Sequence, residues 1–191
     1  LLGCAPATDS LTVTIPSIGK ADCSILIQGD QVMVIDCGEA ENSGEILQTL
    51  KGLGVTKIDC LVITHFDKDH VGGADKVLES VSVSRVVMPQ YAKESKQYTQ
   101  FKDALAKSPQ TRVEILPAGS EWTADFGQTH LRVTAAEQTD YGADEENDFS
   151  LATYLTYGKT KFLFPGDAED ARQTELLRAG DIACDVLKVP Y

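Results

Sequence analysis

The sequence predicts an α+β domain built as an αββα sandwich, two sheets face to face with helices outside. Three observations predict it. Short apolar or alternating runs recur along the whole chain, and amphipathic helical stretches interrupt them in both halves. One run, "IDCLVIT" (58–64), is apolar almost throughout, the mark of a strand buried on both faces. The composition agrees: 191 residues, 42% hydrophobic and 24% charged, can bury a sizeable core in one domain. No apolar run reaches the ~18 residues of a membrane-spanning helix.

Element by element, strands are expected at "LTVTI" (11–15), "CSILIQG" (23–29) and "QVMVIDCG" (31–38), with Gly29-Asp30 as a tight hairpin turn. A helix follows, in which Asn42 and Glu45 resemble a capping box. Ile46, Leu47, Leu50 and Leu53 form its apolar face, and Gly52 and Gly54 end it. After the buried strand come a second helix through Val77 and Leu78, the strand "RVVMP" (85–89), a polar helix over 93–106 and the strand "RVEIL" (112–116). "THLRVTA" (129–135) alternates, and "FSLATYLTYGKTKFLFPGD" (149–167) reads as two strands with a hairpin at 157–160. "AEDARQTELLRAG" is a helix stopped by Gly180, and "CDVLKVP" (184–190) is a closing strand. The loop "EQTDYGADEEND" (137–148) is the one long acidic stretch, and no repeat or linker interrupts this order.

Seventeen Lys+Arg against 29 Asp+Glu leave a net charge of −12, which repels polyanions at long range. A nucleic-acid partner would therefore need metal ions or a local basic patch. The opening "LLGC" (1–4) is similar to a bacterial lipobox, and Thr8-Asp9-Ser10 follows as a polar spacer. That similarity implies a lipid on Cys4 and an extracytoplasmic protein anchored to the cell membrane, with residues 1–10 as lipobox remnant and spacer and 11–191 as the domain. Cys23, Cys37, Cys60 and Cys184 show no CxxC spacing. Cys37, Cys60 and Cys184 adjoin apolar runs and read as small core residues, with disulfide pairing permitted but not required.

The chemistry concentrates in "HFDKDH" (65–70), which holds two of the three histidines and two aspartates directly after the buried strand. His65 and Asp67, two apart, can point the same way in an extended loop. Asp69 and His70 follow at once and can serve a second position, while Gly72 and Gly73 allow a tight turn into a helix. Imidazole nitrogens and carboxylate oxygens suit Zn²⁺, Mn²⁺ or Fe. An acidic, helix-capping loop is the alternative, but four ligand-type groups in six positions are dense for a chain with three histidines.

These residues carry a resemblance. "HFDKDH" resembles the HxHxDH signature of the metallo-β-lactamase superfamily in its HxDxDH form. "VMVIDCG" resembles that family's early strand ending in a buried Asp-x-Gly (Asp36 and Gly38), and "FLFPGDAE" the later strand that delivers a bridging aspartate (Asp167). The resemblance spans 11–191. "IPSIGKADCSILIQG", Asn147 with Ser150, and the Gly166–Glu169 turn are further similar to the metallo-hydrolase domain of ComEC-type DNA-internalisation proteins. The resemblance implies two divalent ions, Zn or Mn. His65 and Asp67 would bind one, and Asp69 and His70 the other, with Asp69 also holding or activating the attacking water. Asp167 would bridge both ions, and Asp36 would orient ligands by hydrogen bonds. Asn147 and Ser150 are expected to support ligands or bind substrate.

Two departures matter. The family's mid-chain histidine has no counterpart, since the remaining His130 lies in an alternating strand where a surface or packing role is expected. The family also continues "DVLKV" into a His-Gly segment, so the resemblance implies a C-terminally truncated fold whose last histidine ligand falls beyond Tyr191. Asp167 also has a plainer reading, as a helix N-cap before Ala168.

The function implied is a metal-dependent hydrolase acting through a metal-activated water. Asp67 in place of an imidazole makes the site harder and more anionic, which favours phosphodiesters over β-lactams. DNA is one such substrate, although the −12 charge counts against it. No protein partner is implied. The alternatives are a carbonyl hydrolase (β-lactamase or glyoxalase-like thioesterase) and a non-catalytic, lipid-anchored binding module.

Overall fold

Gly29 takes φ +61° and turns the chain so that Ser24–Gln28 (β2) and Gln31–Ile35 (β3) pair antiparallel, with Gln28 opposite Gln31. The structure is a computed structural model, and it describes residues 10–142, 146–180 and 182–190. The lipobox-like segment 1–4, with Cys4, lies outside the described residues. Leu11–Thr14 (β1) pairs with β2 on its far side. Parallel strands then extend β3: Cys60–Val62 (β5), Arg85–Pro89 (β7) and Arg112–Leu116 (β8), giving the order β1-β2-β3-β5-β7-β8. Parallel neighbours need crossovers, which the helices Ser43–Gly52 (α1), Ala74–Ser80 (α3) and Lys96–Ala106 (α4) provide.

The second sheet is assembled from Glu121–Phe126 (β9), Thr129–Thr134 (β10), Ala152–Tyr157 (β11), Thr160–Phe164 (β12) and Val186–Leu187 (β13). Its order is β13-β12-β11-β10-β9, antiparallel except for the β12–β13 pair. The helix Asp170–Ala179 (α5) lies on its outer face, where Ala152 and Leu163 meet Leu176. Between the sheets, Leu26, Met33, Val62 and Val87 meet Leu131, Val133, Leu155 and Phe164. Outside the first sheet, Ile25, Leu61 and Val86 meet Ile46, Leu50, Val77 and Phe101 of the helices. These three apolar layers make the domain the αββα sandwich expected, a mixed architecture of helices and two sheets.

Several local details differ from the reading of the sequence, each for a physical reason. The run 58–64 splits at Asp59, whose carboxylate accepts the Val32 N–H (2.9 Å). Before it, Lys57–Ile58 (β4) forms a separate two-stranded parallel pair with Ser82–Val83 (β6). β9 was not foreseen, because as an edge strand it alternates only between exposed and half-buried and carries a weak apolar pattern. Asn42 does not cap α1 in a box with Glu45. Its Oδ1 accepts the Glu39 N–H (3.1 Å), closing the box one turn earlier, on the 3₁₀ turn Ala40–Asn42. α4 starts three residues later than expected, where Ser95 Oγ accepts the Tyr98 N–H (3.1 Å). Gly180 stops α5 in the left-handed conformation (φ +77°).

All four described cysteines are free thiols; Cys23, Cys37 and Cys60 are buried and Cys184 half-buried. Burial pushes the Cys60 thiol up to about 12. Among the described residues no helix is long and apolar enough to cross a membrane.

Leu155 sits at 1% exposure between the sheets, so Leu155→Ala should lower unfolding free energy by about 2–5 kcal/mol. Urea denaturation is the check. The same truncation at exposed Ile115 should cost much less, and equal losses at both positions would contradict the layer assignment.

Candidate metal centre

Thr64 to Asp67 leave β5 without regular secondary structure, ending in an extended Asp67. Phe66 points into the helix layer, fully buried, against Tyr91 (ring centroids 4.6 Å apart) and Tyr98 (4.4 Å). The Tyr91 hydroxyl accepts the Phe66 N–H at 2.7 Å. His65 faces the other way, towards Ser150 and Asp167 on the side of the second sheet.

Lys68–Val71 (α2) follows, and its N-cap is Asp67. The Asp67 carboxylate does not cap it, however; it turns to Lys93, whose ammonium it shares with Glu146. This removes the helix-capping reading of the loop. Glycine is needed at Gly72 and Gly73 for space and not for a turn. A Cβ on Gly73 would lie 2.4 Å from the Cys37 carbonyl oxygen, and one on Gly72 would lie 2.8 Å from the Ala40 nitrogen. The helix thus docks directly on the chain at Cys37–Ala40, with Cys37 N–H donating to the His70 carbonyl (2.7 Å).

Two histidines and one aspartate converge here: ligand atoms of His65, His70 and Asp167 all lie within 4.8 Å of one another, and all three residues are buried. Each imidazole is held from behind through Nδ1. His70 Nδ1 meets Asp36 Oδ2 at 2.9 Å. His65 Nδ1 lies 3.1 Å from Thr64 Oγ1 and 3.4 Å from Ser150 Oγ. That leaves both Nε2 atoms facing the shared space. His70 Nε2 lies 3.1 Å from Asp167 Oδ2, and His65 Nε2 is buried with no hydrogen-bond partner among the described residues. A buried polar atom without a partner costs about 1–3 kcal/mol, and a cation in that space would give it one. The donor set of two Nε2 atoms and a carboxylate, each braced by an outer partner, fits a divalent metal ion.

The electrostatics fit a cation as well. Burial, reinforced by the neighbouring His70, lowers the His65 pKa to about 4, so its imidazole is neutral, as a ligand must be. Burial acts in the same direction on His70, but Asp36 and Asp167 outweigh it and hold its pKa up at about 10. Burial likewise would raise Asp167, and His70 with Lys188 instead bring it down to about 2. The pocket therefore stabilises positive charge, which here sits on His70 and Lys188.

Asp167 is not a helix cap: Glu169 precedes α5, and Asp167 faces His70 and, at 3.5 Å, the Lys188 ammonium. Its approach depends on Gly166 (φ +63°), where a Cβ would lie 2.8 Å from Ser150 Oγ and 3.0 Å from Thr64 Cβ. Asp69 reaches the neighbourhood through its carbonyl, which accepts the Asp22 N–H (3.0 Å); its carboxylate is not among the three converging groups. Ser150 is fully buried, and its hydroxyl serves His65 and the Asp167 N–H (3.2 Å), a ligand-supporting position out of a substrate's reach. Asn147, half-buried, donates to Glu169 Oε1 (2.9 Å). His130 is on the surface, paired with Asp125 (2.7 Å), and takes no part.

Sequence reasoning missed Asp22, Thr64, Lys93 and Lys188. Asp22 Oδ2 is 3.8 Å from His70 Nε2 and holds the Lys188 ammonium. None sits in a ligand-type spacing; Asp22, Thr64 and Lys188 lie in "IPSIGKADCSILIQG", "IDCLVIT" and "CDVLKVP", and Lys93 at the start of the 93–106 stretch, but no local pattern marks them as site residues.

Comparisons with known proteins agree with this architecture. A family model described as "Metallo-beta-lactamase superfamily" matches residues 18–190. ComE operon protein 3 of Bacillus subtilis is 27% identical over 148 residues, which cover 76% of this chain and 18% of that protein. Recombination protein 2 of Haemophilus influenzae is 24% identical over 180 residues, covering 91% of this chain and 20% of that protein. The chain thus spans no more than a fifth of either relative. Among solved structures, the metallo-β-lactamase MIM-1 of Novosphingobium pentaromativorans superposes with a TM-score of 0.61 at 14% identity, covering 90% of this chain and 70% of that one. That likeness concerns the fold.

Asp36 fixes the His70 ring without facing the shared space, so Asp36→Asn should weaken Zn²⁺ or Mn²⁺ binding about 10–100-fold. Asparagine tolerates the left-handed backbone that Asp36 adopts (φ +59°), so the turn itself is kept, while the lost acceptor oxygen should also lower thermal stability. Titration calorimetry with unaltered affinity would show that the Asp36–His70 contact does not govern the site.

Proposed function

This chain belongs to the metallo-β-lactamase superfamily, and from that premise we propose that it is a metal-dependent phosphodiesterase or nuclease. The observation that carries the proposal is the His65–His70–Asp167 cluster, with a buried, partnerless Nε2 aimed into it. When bound there, a divalent cation supplies Lewis acidity and a water that ionises near pH 7. The chain's own residues do the rest. His65, His70 and Asp167 would hold one ion, and Asp67 and Asp69 are the carboxylates proposed for a second. Asp36, Thr64 and Ser150 lock the imidazole rings, so that both Nε2 atoms stay directed inward, and His70 would give up its proton to serve as a ligand. Asp69 is proposed to hold the attacking water, and Asn147 to contact substrate at the rim.

The hard, anionic character that Asp67 lends the loop supports phosphodiesters over β-lactams. Similarity to ComE operon protein 3 supports a DNA-related substrate and a role in competence. Zn²⁺ and Mn²⁺ are the proposed metals. We also retain lipid anchoring on Cys4 at the outer face of the membrane as a proposal. Incorporation of labelled palmitate into the full-length protein, abolished by Cys4→Ala, would support it; labelling that survives would refute it.

The central experiment uses purified protein with bis-p-nitrophenyl phosphate, elemental analysis and nitrocefin as a control. We expect at least about one equivalent of metal, phosphodiester turnover, and a rate loss of about 10²-fold or more in Asp67→Ala. Less than half an equivalent of metal, or turnover surviving Asp67→Ala, sinks the proposal. Turnover of nitrocefin alone would favour the carbonyl-hydrolase reading.

A further inference from the structure

Lys93 is a half-buried cation that the metal ligands do not account for. Its side chain is 22% exposed, and its ammonium lies between Asp67 Oδ1 and Glu146 Oε2. Because α4 begins only at Lys96, Lys93 is on the loop after β7 and free of helical geometry. That loop is pinned nearby. Tyr91 binds the Phe66 N–H through its hydroxyl, and its ring stacks on Phe149 at 4.4 Å between centroids. The ammonium is thus held at the edge of the metal-ligand loop by a built wall.

Charge makes this position informative. A chain of net charge −12 that takes an anionic substrate needs cations placed where the substrate lies. Among the described residues, the ammonium groups on the site's carboxylates are Lys93 and Lys188. Lys188 is 16% exposed and bridges Asp22 and Asp167. Lys93 is the more exposed of the two, 22% against 16%, and its chain neighbours Ala92 and Glu94 are exposed, so the Lys93 side of the site is open to solvent.

An ammonium and a divalent cation compete for the same carboxylate. Once a metal draws on Asp67, that carboxylate holds Lys93 less strongly, and the ammonium has three N–H donors to redirect. Its compact charge on a flexible stem suits it to such a change of partner.

We propose that Lys93 is the substrate-anchoring cation of this site: it holds Asp67 in the metal-free protein and donates to a phosphoryl oxygen once metal has taken that carboxylate. The inference rests on the phosphodiesterase reading above and identifies the part of the substrate that the protein itself recognises.

The test uses the full chain and its Lys93→Gln and Lys93→Arg variants. Calorimetry measures Mn²⁺ affinity, and then inorganic phosphate affinity on the Mn²⁺-loaded protein. In Lys93→Gln, phosphate affinity should fall about tenfold or more, the loss of one charge-assisted hydrogen bond. Mn²⁺ affinity should hold or rise, because the competing ammonium is gone. Lys93→Arg should recover most of the phosphate affinity. With bis-p-nitrophenyl phosphate, KM should rise by a similar factor while kcat stays within about threefold. Three results overturn the proposal: wild-type protein that does not bind phosphate, phosphate affinity unchanged in Lys93→Gln, or a parallel tenfold loss of Mn²⁺ affinity. The last would mean that Lys93 only orients Asp67. Phosphate binding is read without turnover, so a wild-type protein that binds phosphate through Lys93 but hydrolyses nothing would defeat the phosphodiesterase reading alone.

Discussion

The arrangement depends on one buried carboxylate. Asp36 is 2% exposed and accepts three hydrogen bonds: from Thr64 N–H (2.8 Å), from Thr64 Oγ1 (2.7 Å) and from His70 Nδ1 (2.9 Å). Burying a charge costs several kcal/mol unless donors surround it, so these three groups are held where the carboxylate needs them. The backbone reinforces the junction, since Asp36 N–H donates to Val62 O (2.9 Å) and Gly38 N–H to Asp22 O (2.8 Å). The ends of β3 and β5, the metal-ligand loop and the segment around Asp22 are thereby tied into one unit. Asp36 even adopts a left-handed backbone (φ +59°), a conformation that costs about 1–3 kcal/mol for a non-glycine residue. The three hydrogen bonds offset it.

From that junction the two sheets complete the site together. The first sheet delivers His65 and His70. The second delivers Asp167 at the end of β12 and Ser150 just ahead of β11, and Leu151 N–H donates to the Thr64 carbonyl (2.9 Å) across the seam. Arg172 secures this side from within α5. It is 3% exposed and donates to the Ser150 carbonyl (3.1 Å), Glu175 (3.1 Å) and the Thr134 carbonyl (2.9 Å). Asp148 accepts the backbone N–H groups of Glu169 and Arg172, so the 3₁₀ turn Glu146–Phe149 is fastened to the start of α5. A cluster built on strand ends and braced by two layers keeps its geometry better than one on free loops.

Charge is distributed to match. The chain as a whole is acidic, yet three of the site's carboxylates meet a positive group: Asp167 meets His70 and Lys188, Asp22 meets Lys188, and Asp67 meets Lys93. In such a pocket a proton, an ammonium and a metal ion are alternative answers to the same negative potential. The family's metal and the chain's own lysines therefore belong to one electrostatic system.

The sandwich was legible because its layers write themselves as periodicity: the apolar run through β5, the alternation of β10 and the stop at Gly180 each reflect a local requirement. β9 was not legible, since an edge strand with no fully buried side chain leaves little pattern. Within the site, His65, His70, Asp67, Asp69 and Asp167 could be named from spacing and resemblance, because ligand chemistry restricts residue type. Which of them converge could not. Asp67 turns to Lys93, and Ser150 reaches His65 across 85 positions. The sequence by itself determined the fold class and the set of groups able to bind a metal. Only the tertiary structure decided that His65, His70 and Asp167 share one space, and that Asp22, Lys93 and Lys188 surround it. Local patterns encode contacts along one element, whereas this site is made where elements distant in the chain are brought together by burial.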